Sequence, residues 1–181
     1  MNEQRKPIYE LTKVALFAAV TFLGIQAFRI PLPAAVGVPF LHFGNIFLLL
    51  GALILGGKKG AFAGAIGFAI FDLLNGYITV MPKVIILAIL MSFVASKLFE
   101  HFKDQIGVTK ALILATTCAF LISLTGDFLY DTATLFLVGN GLSVAMWGAF
   151  TSLLATFVNS VFGIVAVTIL YPVLNPLVKK F

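Results

Sequence analysis

The sequence predicts an all-α integral membrane protein with six transmembrane helices and both termini on the cytoplasmic side. Three observations carry that expectation. The 181 residues are 61% hydrophobic and 10% charged, with a mean hydropathy of +1.10. The apolar blocks are long enough for about six crossings, each needing about 20 residues. Ten of the twelve Lys and Arg residues then fall on one face of the membrane. These are Arg5, Lys6, Lys13, Lys58, Lys59, Lys97, Lys103, Lys110, Lys179 and Lys180, whereas Arg29 and Lys83 fall on the other. Basic connections stay cytoplasmic, which fixes an N-in/C-in topology.

The whole chain, 1–181, is expected to form one transmembrane domain with helices at about 11–28, 42–57, 60–76, 82–99, 108–130 and 142–171. Pro31 and Pro33 end the first helix, because proline lacks a backbone donor and clashes with the preceding turn. The stretch to Phe40 is an outer loop, unusually apolar, that should fold back over something. The second block is short, and Gly56 to Gly60 makes a tight basic inner turn. The third helix carries Gly60, Ala63, Gly64 and Gly67, a spacing that lets helix backbones approach closely. Asn75-Gly76 marks the outer turn, and Pro82 opens the fourth helix near its first position. Glu100 to Gly107 reads as a charged inner loop and Asp131 to Gly141 as an outer one. Pro172 and Pro176 should stop the last helix. The N-terminal segment leads into a full span, so no cleaved signal peptide is expected.

Ionisable groups inside a bilayer cost about 2.5–3.5 kcal/mol each on insertion scales, so each needs a reason. Asp72, Lys83, Asp127 and Asp131 all belong to the outer half. Asp72 lies ~18 Å from the inner end of its helix at 1.5 Å per residue. Asp127, Tyr130, Asp131 and Thr134 share one face if their helix continues. Asn45, Asn75, Tyr77 and Trp147 join them as candidate substrate-binding residues. The inner half has no comparable cluster. The pattern suggests a cup, closed below and open outward, for a small polar molecule. Plainer roles compete: Asp72 and Lys83 as a structural ion pair, Tyr77, Tyr130 and Trp147 as interfacial anchors, His42 as an interfacial residue, and Asn159 as interhelical glue.

Several chemistries are excluded. Gly57-Lys58 lacks both the upstream glycine and the following Ser or Thr of a phosphate-binding loop. Two distant histidines make no zinc site, and no metal or cofactor is expected. Cys118 stands alone in an apolar block. The basic residues are strung along one membrane face, so a net charge of +5 does not mark nucleic-acid binding. Gly141 to Ala145 only partly resembles a serine-nucleophile elbow, which leaves an intramembrane enzyme as a minor alternative.

Ala15-Leu16-Phe17-Ala18-Ala19 contains an AxxxA spacing, and Phe71-Asp72-Leu73-Leu74-Asn75-Gly76-Tyr77 is followed by Pro82-Lys83. With Gly44-Asn45, Gly51 and the Gly-Gly-Lys-Lys-Gly turn, these features resemble the S-components of energy-coupling factor (ECF) transporters over essentially the whole chain. The resemblance implies an S-component-like bundle in the bacterial plasma membrane that captures a vitamin from outside. It implies a lid formed by the 30–40 loop, and toppling against a transmembrane coupling subunit driven by two ATP-binding cassette ATPases. It places Ala15 and Ala19 on the docking face. Hydroxymethylpyrimidine or pyridoxine is the first expectation for the cargo, with riboflavin, pantothenate and thiamine as alternatives. A stand-alone small-solute carrier or channel is the competing class.

Overall fold

A computed structural model describes residues 6–32 and 39–180. Arg5 and the 33–38 tip of the expected lid lie outside the described residues. Six helices follow one another: α1 (Lys6–Gln26), α2 (Gly44–Leu55), α3 (Gly57–Asn75), α4 (Met81–Ile106), α5 (Val108–Leu137) and α6 (Leu142–Lys180). Between α1 and α2 the outer loop forms two short antiparallel strands, β1 (Ile30–Pro31) and β2 (Phe40–Leu41).

The helix limits differ from the expected ones for identifiable reasons. α1 starts at Lys6 because Pro7 falls in the first turn, where its missing N–H costs nothing. α4 runs on to Ile106 through the charged segment, where Lys103 and Glu100 pair at i, i+3, 2.7 Å apart. Gly107 ends it with φ +86°, a conformation open to glycine. α5 continues to Leu137, so the outer connection to α6 shrinks to 138–141. α6 passes through Pro172 and Pro176 to Lys180. Proline inside a helix costs about 3 kcal/mol. Packing holds it nonetheless: Val167 and Tyr171 are buried, and the Tyr171 ring meets Phe99 of α4 edge-on at 5.0 Å.

α1, α4, α5 and α6 are long and apolar enough to cross a membrane. α2 has 12 residues, ~18 Å of helix against a hydrocarbon thickness of ~30 Å. It is flanked by α1, α3, α4 and α6, and Leu48, Leu49, Leu50 and Ala52 are fully buried. Leu16, Leu23, Phe62, Ile86, Leu121 and Phe157 project outward, where lipid rather than water is their natural neighbour.

Lipid is as apolar as leucine, so helix association here depends on close packing. A Cβ on Gly60 would collide with the Ala52 backbone, and one on Gly67 would lie 2.7 Å from the Ala18 carbonyl. α3 therefore lies directly on α2 and α1. The Glu10 carboxylate, 2.6 Å from Lys59, ties the start of α1 to the first turn of α3, where Lys58 and Lys59 are helical rather than part of a connecting turn. Lys58, Lys59, Lys103 and Lys110 sit at or next to the helix ends on that side, whereas Arg29 and Lys83 belong to the other. The bundle thus has one basic end, which faces the cytoplasm.

Candidate functional site

A cavity of ≈ 380 Å³ opens at the end opposite the basic one. Its walls come from Ile25 of α1, the β2 segment, the α3–α4 turn and α2 through α6. Asn45, Asp72, Tyr77, Lys83, Asp127, Tyr130 and Asp131 all line it, as seven of the nine residues selected from sequence.

One wall is electrostatic. Lys83 Nζ of α4 lies 2.8 Å from Asp127 Oδ1 of α5, and both side chains are less than a fifth exposed. The Thr156 hydroxyl of α6 donates to the other Asp127 oxygen at 2.8 Å. Asp127 therefore joins three helices through one carboxylate. The Lys83 ammonium also stands over the Tyr130 ring, 5.0 Å from its centroid, and the Tyr130 hydroxyl donates to the Thr79 carbonyl at 3.1 Å. The continued helix puts Asp127, Tyr130, Asp131 and Thr134 on one cavity-facing side.

The opposing wall is aromatic. α3 ends in a left-handed Gly76, φ +79°, and both the Gly76 and Tyr77 amides return to the Asp72 carbonyl. This turn lays Tyr77 back over Phe71, with ring centroids 5.8 Å apart and planes only 16° from parallel. Phe40 of β2 meets Phe71 edge-on at 5.8 Å and lies 6.2 Å from Tyr77. His42 meets Phe68 edge-on at 6.0 Å. The His42 Nδ1 accepts the Gly44 N–H at 3.1 Å, which requires a lone pair there and leaves the ring proton on Nε2.

Asp72 stands between the walls. It is 4% exposed, and its Oδ2 has no hydrogen-bond partner among the described residues. The expected Asp72–Lys83 pair is not formed, because Lys83 reaches Asp127 instead. A buried, unmatched carboxylate oxygen costs stability, and a donor arriving in the cavity would match it.

Two selected residues lie elsewhere. Asn75 accepts from Arg29 at 3.0 Å and donates to Gln26 at 3.0 Å, latching the end of α1 to α3. Trp147 is 68% exposed on an outward side of α6, beside Phe150. It has the amphipathic ring of an interfacial anchor but no place in the cavity. Ala15 and Ala19 are exposed together on α1, among Thr12, Leu16 and Leu23.

The cavity also contains residues not selected from sequence: Phe40, His42, Phe68, Phe71, Thr79, Ser123, Ser152, Thr156 and Asn159. A signal for the α6 members was present. Ser152, Thr156 and Asn159 recur every three or four residues through an otherwise bulky apolar helix, the spacing of one helix face. Asn159, expected as glue between helices, bonds chiefly to the β2 segment.

The model of the family described as "ECF-type riboflavin transporter, S component" matches residues 6–176. The match includes every cavity residue as well as Ala15 and Ala19. No curated protein and no solved structure matches the chain.

Proposed function

The chain belongs to the S-component family of ECF-type riboflavin transporters, and on that premise we propose that its cavity captures riboflavin from outside the cell. Membership makes it a multi-pass protein of the cell membrane and a transport subunit rather than an enzyme. The observation that carries the choice of cargo is the family match over 6–176. Riboflavin thereby moves from an alternative to the leading cargo, ahead of hydroxymethylpyrimidine and pyridoxine.

The chemistry of the cavity supports the same choice. Its volume, ≈ 380 Å³, is within the ordinary range for a compact organic ligand. A flat tricyclic ring suits the nearly parallel Phe71 and Tyr77 and the edge of Phe40. The ring imide N–H or a ribityl hydroxyl supplies the donor that Asp72 Oδ2 lacks. Thr79, Ser123, Thr134 and Ser152 offer hydroxyl and carbonyl groups to a polyol tail. Asn45, Lys83, Asp127, Tyr130 and Asp131 complete the proposed binding set. Asn75 acts as a brace behind it.

Delivery then requires a transmembrane coupling subunit and two ATP-binding cassette ATPases. The exposed Ala15 and Ala19 provide a shallow face for that contact. Small side chains let a partner helix come close without burying charge.

Quenching of riboflavin fluorescence by the purified chain tests the cargo. Saturable one-to-one quenching is expected, with no competition from excess pyridoxine or hydroxymethylpyrimidine. Absence of quenching, or full competition by either compound, overturns the assignment. Riboflavin accumulation in liposomes holding this chain alone would overturn the dependence on partners.

A further inference from the structure

Asn159 forms a connection between α6 and the outer loop that a merely space-filling polar residue would not make. Its side chain is almost fully buried, at 6% exposed. Its Oδ1 accepts the His42 N–H at 3.0 Å, and its Nδ2 donates to the Phe40 carbonyl at 3.0 Å. The same Nδ2 donates to the Ala155 carbonyl one turn back, at 3.1 Å, which fixes the orientation of the amide.

These contacts follow strand geometry. Along an extended chain, the C=O of one residue and the N–H two residues later point to the same edge. β1 occupies one edge of β2, where the Leu32 N–H meets the Pro39 carbonyl at 2.9 Å. The Phe40 carbonyl and His42 N–H face the other edge, where a third strand would lie. Asn159 takes that place with a single carboxamide, which presents one acceptor and one donor like a peptide group. Two further bonds hold the following residues: the Phe43 N–H reaches the Gly24 carbonyl of α1 at 2.9 Å, and the Gly44 N–H reaches His42. Asn159 is thus the hydrogen-bonding link between this segment and the last helix, beside the stacked rings of Phe43 and Phe162 at 5.3 Å.

We propose that Asn159 is a positioning residue for cargo binding, a one-residue surrogate strand that holds Phe40 and His42 in the cavity wall. The proposal rests on the cavity being the riboflavin site. With the amide in place, the aromatic wall is preformed and cargo leaves slowly. Without it, β2 loses its pairing on the α6 side while the six-helix bundle keeps its packing.

The test compares Asn159→Leu, which has similar bulk but neither bond, with Asn159→Asp, which keeps the acceptor for His42 and loses the donor for Phe40. Riboflavin association and dissociation are followed by stopped-flow quenching, and thermal stability is measured without riboflavin. Each variant also carries Leu41→Cys in a Cys118→Ser background, and its reaction with a water-soluble maleimide is timed without ligand. Asn159→Leu should speed dissociation by about tenfold or more and accelerate labelling of residue 41. Asn159→Asp should move both in the same direction. Unchanged dissociation and labelling in both variants would overturn the proposal. So would a loss of ligand-free stability in both variants with labelling of residue 41 unchanged. If the parent fails to quench riboflavin, the cargo assignment falls. The labelling rates still decide whether Asn159 holds β2, and they do so even if Asn159→Leu fails to fold, through the aspartate variant.

Discussion

Lys83 and Asp127 meet at 2.8 Å inside the cavity, from helices whose sequence positions are 44 residues apart. Thr156 holds the second oxygen of the same carboxylate. Lys83 is thereby ion-paired before any cargo arrives, whereas Asp72 retains an oxygen unmatched among the described residues. The cavity presents itself mainly as an acceptor.

Breaking the pair from one side strands a charge in a poorly solvated place, which costs about 3–5 kcal/mol for a buried pair and less here because both groups retain some exposure. Lys83→Ala and Asp127→Ala should each weaken riboflavin binding by about 10–100-fold. For the cycle, the double variant Lys83→Met/Asp127→Leu should melt higher than Lys83→Met or Asp127→Leu alone. Additive losses in a double-mutant cycle would show that the two groups act independently.

Asp72→Leu should separate stability from function. Removing an unmatched buried oxygen relieves about 1–3 kcal/mol, so the ligand-free protein should melt at a higher temperature. Riboflavin affinity should fall about tenfold or more, because the arriving donor loses its acceptor. Thermal melting with and without riboflavin measures both, and a variant that binds normally would remove Asp72 from the site.

Trp147→Ala should leave riboflavin affinity within about twofold of the parent, since surface changes away from a site have small effects. Quenching titration checks this. A larger loss would return Trp147 to the binding set.

Ala15→Trp and Ala19→Trp should preserve riboflavin binding by the isolated chain and abolish uptake in liposomes containing the coupling subunit and ATPases. Loss of binding in the isolated chain would mean that the Ala15 and Ala19 face of α1, like Ile25, serves the cavity rather than the partner.

Gly67→Val should destabilise the bundle by about 1–3 kcal/mol or more through overpacking, because the first added carbon already lies 2.7 Å from the Ala18 carbonyl. Gly139→Ala, in open space on the outer turn, should cost less, and the strain of its positive φ is its main penalty. Comparative melting of the two variants tests whether α1–α3 proximity carries more of the stability.

The bundle was legible in the sequence because hydropathy and basic-residue asymmetry report directly on the bilayer. Cavity carboxylates were legible for a related reason: Asp72, Asp127 and Asp131 are costly in apolar surroundings and so stand out. Trp147 lies outside the cavity, and in sequence an amphipathic aromatic looks the same at a membrane interface and in a binding cup. Asn75 also lies outside it: its neighbours in sequence enter the cavity while its own amide turns toward Arg29 and Gln26. Phe40, His42 and Asn159 were missed as a unit because their pairing spans more than a hundred residues and depends on a two-residue strand that no periodicity announces. Pro172 and Pro176 argue for a stop by local propensity, and the burial of Val167 and Tyr171 in the bundle outweighs it.

The brevity of α2 leaves depth above it. The helix starts at Gly44, Asn45 in its first turn borders the cavity, and its other end meets the basic start of α3. Its ~18 Å leaves ~12 Å of hydrocarbon depth unclaimed, and that headroom is where the vitamin would rest. One more turn would raise the floor by ~5.4 Å. Where this single enclosed helix begins, at Gly44, is therefore one of the features that leave the transporter subunit its depth.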